Sequence, residues 1–443
     1  MIMENRSLAK ARKLSKEVTE QLLGKIIPFW RSLRDDRWGG WYGYVSYELE
    51  TDRDAVKGCI LNSRITWFFA SVYRYIRDGL ITREQCLAHG FTDEDIRREA
   101  EHGWNFLRER CLDRKNGGIY WSLRADGTPE DTTKHTYNQA FAIYALCACH
   151  EALGGDEALK LALELFALIE EKCTDEKGYL EAFTVDFSPE SNEKLSENGV
   201  LAARTMNTLL HVFEAYTQLY KVSGNGRVRE CLCRILDIFR EKVYNPRLHR
   251  QEVFFDENYR SLLDLHSYGH DIETAWLMDL GLWVLNDPAR TEACSAVTEE
   301  LTEQILRTAF DGHSLANECD RGEVNVHRVW WVQAEAVVGF FNGWQKNPER
   351  VDYLETALAL WEFIQRYVVD EREGSEWFWE VDEKGNPFPG RPVAEPWKCP
   401  YHNGRMCLEI IKRAGQAAEE MGGDIRACAV TDRDREDCYG KNT

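Results

Sequence analysis

Residues 141–173 read FAIYALCACHEALGGDEALKLALELFALIEEKC. The second half, DEALKLALELFALIEEKC (156–173), sets apolar residues at i, i+3, i+4 and i+7 and charges elsewhere, which predicts an amphipathic helix. The first half, FAIYALCACHEAL (141–153), is apolar on nearly every side, and such a helix is buried on nearly every side. This contrast repeats along the chain. Helices with a polar face are expected at 16–34, 93–112, 155–173, 226–243, 293–309 and 349–369. Less polar ones are expected at 56–76, 134–152, 200–221, 268–285, 327–345 and 400–420. Within each pair lies an aromatic or glycine-rich segment with turn signals and strand-like alternation: GGWYGYVSY from Gly39, GGIYWSL from Gly117, KGYLEAF from Lys177, QEVFFDENY from Gln251, GHSLANE from Gly312 and SEWFWEV from Ser375. The pattern predicts an all-α double ring, with six buried helices inside, six amphipathic helices outside and short β-like hairpins at one end. An open helical solenoid is the alternative.

Length alone suggests about three domains at roughly 150 residues each. The repeat instead predicts one domain over residues 1–421, with the polar, aperiodic residues 422–443 as a flexible tail. A net charge of −20 and the lack of any basic run argue against nucleic acid and against an anionic membrane surface. The N-terminal MIMENRSLAKARKLSKEV has no apolar core of a secretory signal, and no apolar run approaches the roughly 20 residues of a membrane span. A cytoplasmic protein is expected. The 14 cysteines are scattered, and the pairs Cys147/Cys149 and Cys231/Cys233 lack zinc-site spacing. They read as apolar fillers of a reduced protein. The 15 Trp and 18 Tyr fit either sugar stacking or a thick core.

Function is carried by position. Inner helices of such a ring run parallel, so their N-termini gather at one end. Polar residues recur there: Arg64; His135, Tyr137 and Asn138; Asn207 and His211; His270 and Glu273; Arg328, Trp330, Trp331 and Glu335; Trp397, His402 and Arg405. Singly, each has a bland account, as a core histidine, an ion-pair partner or a packed indole. Together they point to a shared polar pocket, because buried charges need partners.

The stretch LDLHSYGHDIETAWLMD (263–279) tests two chemistries. His266 and His270 are four apart, as a helical metal clamp requires. Ser267 is a plausible N-cap and Gly269 fits an abrupt helix start, so His266 falls outside the helix and the clamp fails. His270 and Glu273 share a face, and Glu273 is expected to orient the imidazole. His266 keeps a structural or rim role. Pro400 suits a first helical turn, which brings His402 to another helix N-terminus, where imidazolium is disfavoured.

The strings KHTYNQAFAIYAL, LSENG, TMNTLLHVFEAY, HSYGHDIETAWLMD, RVWWVQAEAVVGF and WKCPYHNGRM resemble the N-acylglucosamine 2-epimerase superfamily, most closely its cellobiose 2-epimerase branch. The resemblance runs from IIPFWRSLRDDRWGGWYGY at Ile26 to WKCPYHNGRMCLEII at Trp397. It implies an (α/α)6 barrel and reversible inversion at C2 of the reducing-end glucose of β-1,4-linked disaccharides such as cellobiose and lactose. It also implies that His270 and His402 are acid/base residues and that His211 contacts the reacting sugar. Arg64, Tyr137, Asn207 and Glu273 match further pocket residues, and Trp397 with one of Trp330/Trp331 matches the aromatic platforms. Asn62 stands in LNSR where relatives often carry histidine, and adjusted bonding rather than lost activity is expected.

Two histidines suit proton removal from C2 and its return on the opposite face through a cis-enediolate, with Arg64 and His211 stabilising its charge. Nothing in this chemistry calls for a metal, nucleotide or redox cofactor. The expected partner is a small disaccharide, bound by a monomer or weak homo-oligomer. Three rivals stand beside it: a mannose isomerase or N-acylglucosamine epimerase, an inverting glycoside hydrolase using carboxylates among Glu273, Glu335 and Glu318, and a non-catalytic sugar binder.

Overall fold

The computed structural model describes residues 2–195 and 199–420. The expected tail and most of the LSENG string lie outside the described residues. Outer helix α1 (Ile2–Gln21) continues through a π turn into the short α2 (Ile27–Ser32) and leads to inner helix α3 (Cys59–Arg77). A short α4 (Arg83–Ala88) connects onward. Outer and inner helices then alternate: α5 (Asp93–Phe106), α6 (Thr136–Leu153), α7 (Glu157–Lys172), α8 (Met206–Ser223), α9 (Gly226–Ile238), α10 (Tyr268–Leu285), α11 (Pro288–Thr308), α12 (Trp330–Lys346), α13 (Val351–Phe363) and α14 (His402–Glu420). The last inner helix, α14, packs against both α12 and α3, and α1 packs against α13 and α14. The ring is therefore closed, an (α/α)6 barrel rather than an open solenoid.

The pairing of a buried with an amphipathic helix is realised. α6 buries nearly all of its residues, while α7 buries Ala158, Leu161, Ala162, Leu165, Phe166 and Ile169 along one stripe. Start signals hold the outer helices in place: Thr92 and Asp95 form a reciprocal capping box on α5, and Asn225 and Asp287 cap α9 and α11. No described helix is long and apolar enough to cross a membrane. Six tryptophans (Trp30, Trp41, Trp276, Trp344, Trp361 and Trp377) are fully buried, so much of the aromatic excess is core. The described cysteines are unpaired, and all but Cys319 are buried.

Several inner helices begin later than expected, because a short strand precedes them. Residues 57–58 pair with 122–123, 134–135 with 182–183, 204–205 with 254–255, 265–267 with 318–320, and 328–329 with 380–381. In each case the partner comes from the next repeat's hairpin segment, and a bridge between Val45 and Ala394 joins the last repeat to the first. His135 and Arg328, expected in helical first turns, sit in these strands instead.

A repeating pair of side chains locks this end. Two residues before an inner helix stand Lys57, Lys134, Arg204, His266 and Arg328. Lys57 pairs with Asp35 at 2.5 Å, Lys134 with Asp113 at 3.1 Å and Arg328 with Asp311 at 2.5 Å, and Arg204 pairs with Asp175. In each of these repeats the aspartate also accepts backbone N–H bonds from the turn after the outer helix. His266 occupies the same position and bonds Asp271 at 2.8 Å. Its structural reading holds, as the residue that fills in its repeat the place of the staple residues Lys57, Lys134, Arg204 and Arg328. Three residues past the helix start, Asn62, Gln139, Asp271 and Gln333 accept backbone N–H bonds from Trp41, Ile119, Gln251 and Leu315. Asn62 is thus part of the staple layer, holding the Trp41 backbone at 2.9 Å.

Candidate active site

The staples fix where inner-helix N-termini point, and the next residues along those helices converge. His270 lies two residues into α10, with Ser267 at the N-cap position. The Ser267 hydroxyl makes no cap bond; it lies 2.7 Å from His270 Nδ1. The expected Glu273 orienter is therefore replaced by Ser267, because Glu273 is drawn to Arg405 instead. Gly269 has a reason other than an abrupt start: a Cβ there would come within 2.5 Å of the Trp331 indole. Its absence lets Trp331 lie beside His270, with ring centroids 4.8 Å apart.

His402 opens α14, just after the turn that contains Pro400. Its Nδ1 lies 2.7 Å from Glu335 Oε1, and its ring centroid is 5.4 Å from that of Trp331. A carboxylate only accepts, so this bond assigns the proton to Nδ1 and leaves Nε2 with a lone pair. Trp331 is half-buried, and its ring packs against both histidines. Trp330 is buried against Trp379 at 4.9 Å, a packing position.

His211 lies five residues into α8 and bonds Glu214 at 3.0 Å. Its ring meets Tyr137 edge-on at 5.1 Å. Arg64, fully enclosed, donates to the Tyr137 hydroxyl at 2.6 Å and lies 4.1 Å above the Phe141 ring. Trp397 stands 6.1 Å from both Tyr137 and Trp121. Asn207 is half-buried, with no partner for its side-chain oxygen; Glu273 Oε2 and Arg64 Nε are likewise buried without partners.

Arg405 is the hub beneath the histidines. It donates to Glu214 at 2.5 Å, pairs with Glu335 at 2.7 Å, and bonds Glu273 and the Tyr401 hydroxyl. At 1% exposed, with Nη1 and Nη2 committed to these partners and Nε buried without one, Arg405 braces the carboxylates and Tyr401 of the site. Glu335 is similarly committed, to His402, Arg405 and Trp276. Glu214 and Tyr401 were not singled out in the sequence. A signal for Glu214 was present, since HVFE sets it three residues after His211.

Electrostatics follow from burial. Desolvation, with the neighbouring His211, pushes His270 down to about 3. Desolvation and the Arg405 charge push His402 well below its usual value. Both imidazoles are neutral at neutral pH. Burial and the adjacent Glu335 push Glu273 up to about 7. Burial would also raise Glu214, but Arg405 and His211 reverse this and bring it down to about 2. Glu273, Glu335 and His402 offer ligand atoms within 4.8 Å of one another, the one metal-capable cluster among the described residues. A guanidinium already pairs with both carboxylates, so a metal ion would have to displace Arg405. The same closeness counts against an inverting hydrolase, whose carboxyl groups stand about 6.5–9.5 Å apart. Glu318 is on the hairpin strand that pairs with Ser267.

The family model described as N-acylglucosamine 2-epimerase (GlcNAc 2-epimerase) matches residues 40–403. A cellobiose 2-epimerase from Eubacterium cellulosolvens is 48% identical over 411 residues, covering 89% of this chain and 97% of that protein. The structure of a cellobiose 2-epimerase from Bacillus thermoamylovorans superimposes with a TM-score of 0.84 at 39% identity, covering 91% of this chain and 100% of that one. A D-mannose isomerase structure shares the fold, with a TM-score of 0.73 at 19% identity, covering 91% of this chain and 98% of that one. The chain belongs to the N-acylglucosamine 2-epimerase family and is a carbohydrate epimerase.

Proposed function

We propose that the chain inverts C2 of the reducing-end glucose in β-1,4-linked disaccharides, converting cellobiose to 4-O-β-glucosyl-mannose and lactose to epilactose. The observation that carries this reading is the pair of neutral histidines, the half-buried His270 and the buried His402, both packed against Trp331. Ring opening exposes an aldehyde, which acidifies the C2 hydrogen. One histidine removes that proton, and the resulting cis-enediolate is reprotonated from the opposite face by the other. A neutral imidazole is the form that accepts a proton, and each positioned acid/base group contributes about 10²–10⁴-fold. Arg64 and His211 stabilise charge on the enediolate oxygens. Tyr137, Asn207 and Trp397 bind the sugar, and the unpartnered oxygen of Asn207 suits a sugar hydroxyl. The site occupies the end of the barrel that the staples hold rigid, as positioned proton transfer requires.

Epimerisation in deuterated water tests the route. Deuterium is expected at C2 of the product, and His270→Ala and His402→Ala are each expected to lose about 10²–10⁴-fold in rate while keeping the fold. Epimerised product without solvent deuterium over many turnovers would sink the two-base route. Mannose isomerisation is the second reading, favoured by the shared fold with a D-mannose isomerase. The same enediolate reprotonated at C1 gives a ketose, so fructose formed from mannose faster than any C2 epimer from cellobiose would select it.

A further inference from the structure

Arg64, Phe141, His211, Glu273, Glu335 and Arg405 each stand seven residues after the staple position of their repeat, which Lys398, paired with Glu376 at 2.6 Å, fills in the last. They form one layer of the inner ring, because the inner helices run parallel from equivalent starts. Five of the six are ionisable. Phe141 is an apolar ring, 2% exposed, and the reaction proposed above gives it no part.

The two arginines of this layer are held in different ways. Arg405 pairs with Glu214, Glu273 and Glu335. Arg64 is as deeply enclosed, yet it makes no ion pair among the described residues. Its Nη2 donates to the Tyr137 hydroxyl at 2.6 Å, Nη1 reaches the Trp397 carbonyl at 3.5 Å, and the Cys399 thiol adjoins the guanidinium. Nε has no partner. The remaining contacts are aromatic: the guanidinium carbon lies 4.1 Å from the centre of the Phe141 ring and 4.8 Å from that of Tyr401. Phe141 also packs against His211, with ring centres 4.7 Å apart. It therefore meets both groups assigned to the enediolate charge. A carboxylate beside a buried guanidinium would neutralise it. An aromatic ring attracts the cation through its quadrupole and leaves the formal charge in place.

We propose that Phe141 is a positioning residue for the epimerisation: its ring seats Arg64 beside His211 without cancelling the charge of the guanidinium. Charge that develops on the enediolate oxygens then meets a positive charge already in place, which lowers the barrier without tightening the hold on the neutral sugar. This rests on the enediolate route proposed above. Tyr401 shares the contact with Arg64, but its hydroxyl also bonds Glu214 and Arg405, so a change there would move several groups at once.

Replacing Phe141 in the full chain by mono-, di- and trifluorinated phenylalanine tests this, because each fluorine withdraws charge from the ring face and barely changes its shape. A stepwise fall in kcat on cellobiose is expected, reaching about ten- to thirtyfold with three fluorines, with KM held within about twofold. The same series at Phe239, a buried ring of the outer layer packed on Phe213, is expected to leave both constants unchanged. Phe141→Leu, apolar but without a ring, is expected to match the trifluorinated chain in kcat. An active parent whose kcat ignores fluorination would overturn the proposal, and so would a Phe141→Leu variant altered in KM alone. A parent that forms no C2 epimer from cellobiose would remove the reaction itself, and the role of Phe141 with it. Should the trifluorinated chain fail to fold, the slope over one and two fluorines decides, and a flat slope overturns the proposal.

Discussion

Two His–Glu pairs in this barrel have the same spacing and opposite outcomes. His211 and Glu214 lie three apart on α8 and are hydrogen-bonded at 3.0 Å. His270 and Glu273 lie three apart on α10, yet His270 bonds Ser267 and Glu273 bonds Arg405. Spacing brings two side chains to one helix face; it does not decide which third group competes for them. At α10 a hydroxyl precedes the helix and reaches the imidazole first. At α8 the N-cap is Thr205, whose hydroxyl accepts from the Thr208 backbone instead. The difference matters for chemistry. A carboxylate fixes one tautomer on its histidine, whereas a hydroxyl donates or accepts and leaves both open.

The comparison breaks most severely at Arg405. Arg405→Leu leaves three buried carboxylates without their cation, and a loss of about 3–5 kcal/mol in denaturant unfolding is expected. A loss below about 1 kcal/mol would show that the hub is not what holds the pairs apart.

Next come the two glutamates. Glu214→Gln removes a charged partner of His211, and an activity loss of about ten- to a hundredfold is expected, as for a charged hydrogen bond. Glu273→Gln mimics a group that burial already pushes up to about 7, so a smaller loss is expected, with the tautomer of His270 unmoved in nitrogen-edited NMR. Ser267→Ala is expected to change that tautomer signal. If Glu273→Gln shifts it and Ser267→Ala does not, the assignment of orienters is reversed.

Acid sensitivity sharpens the contrast further. His270, near 3 when folded and about 6.5 when unfolded, adds stability that is complete above pH about 6.5 and is lost as pH falls toward 3. Glu273, near 7 when folded and about 4.3 when unfolded, works against it between those values, favouring the fold at the lower pH. His270→Asn removes only the first effect. Between pH 6 and 4 its stability is expected to fall less steeply than the parent's, by up to about 1.4 kcal/mol per pH unit. Parallel slopes would show that His270 is not held neutral by the fold. The smallest effect is expected at Asn62, where Asn62→His disturbs the bond to the Trp41 backbone and costs about 1 kcal/mol in the unfolding midpoint, without loss of epimerisation.

Much of this was legible along the chain, and the reasons are physical. A helix buried on all sides and one buried on a single stripe differ in composition, so FAIYALCACHEAL and DEALKLALELFALIEEKC already separate inner from outer layers. Six repeats of that contrast carry a closed ring. Parallel inner helices then place Arg64, Tyr137, His211, His270, Trp331 and His402 at one end without any coordinates. Helix starts were less legible at 200 and 327, because two-residue strands that pair with the next repeat carry no local periodicity.

By itself, the sequence determined the layers, the number of repeats and the end of the barrel at which ionisable groups collect, since these rest on spacing and on the cost of burying charge. Only the tertiary structure decided the partners: Ser267 rather than Glu273 for His270, Glu335 for His402, Arg405 as the shared cation, and His266 as a staple equivalent to Lys57, Lys134, Arg204 and Arg328. Each of those outcomes is a competition among groups from different helices. A linear pattern lists the competitors, and their positions in space settle which bond is made.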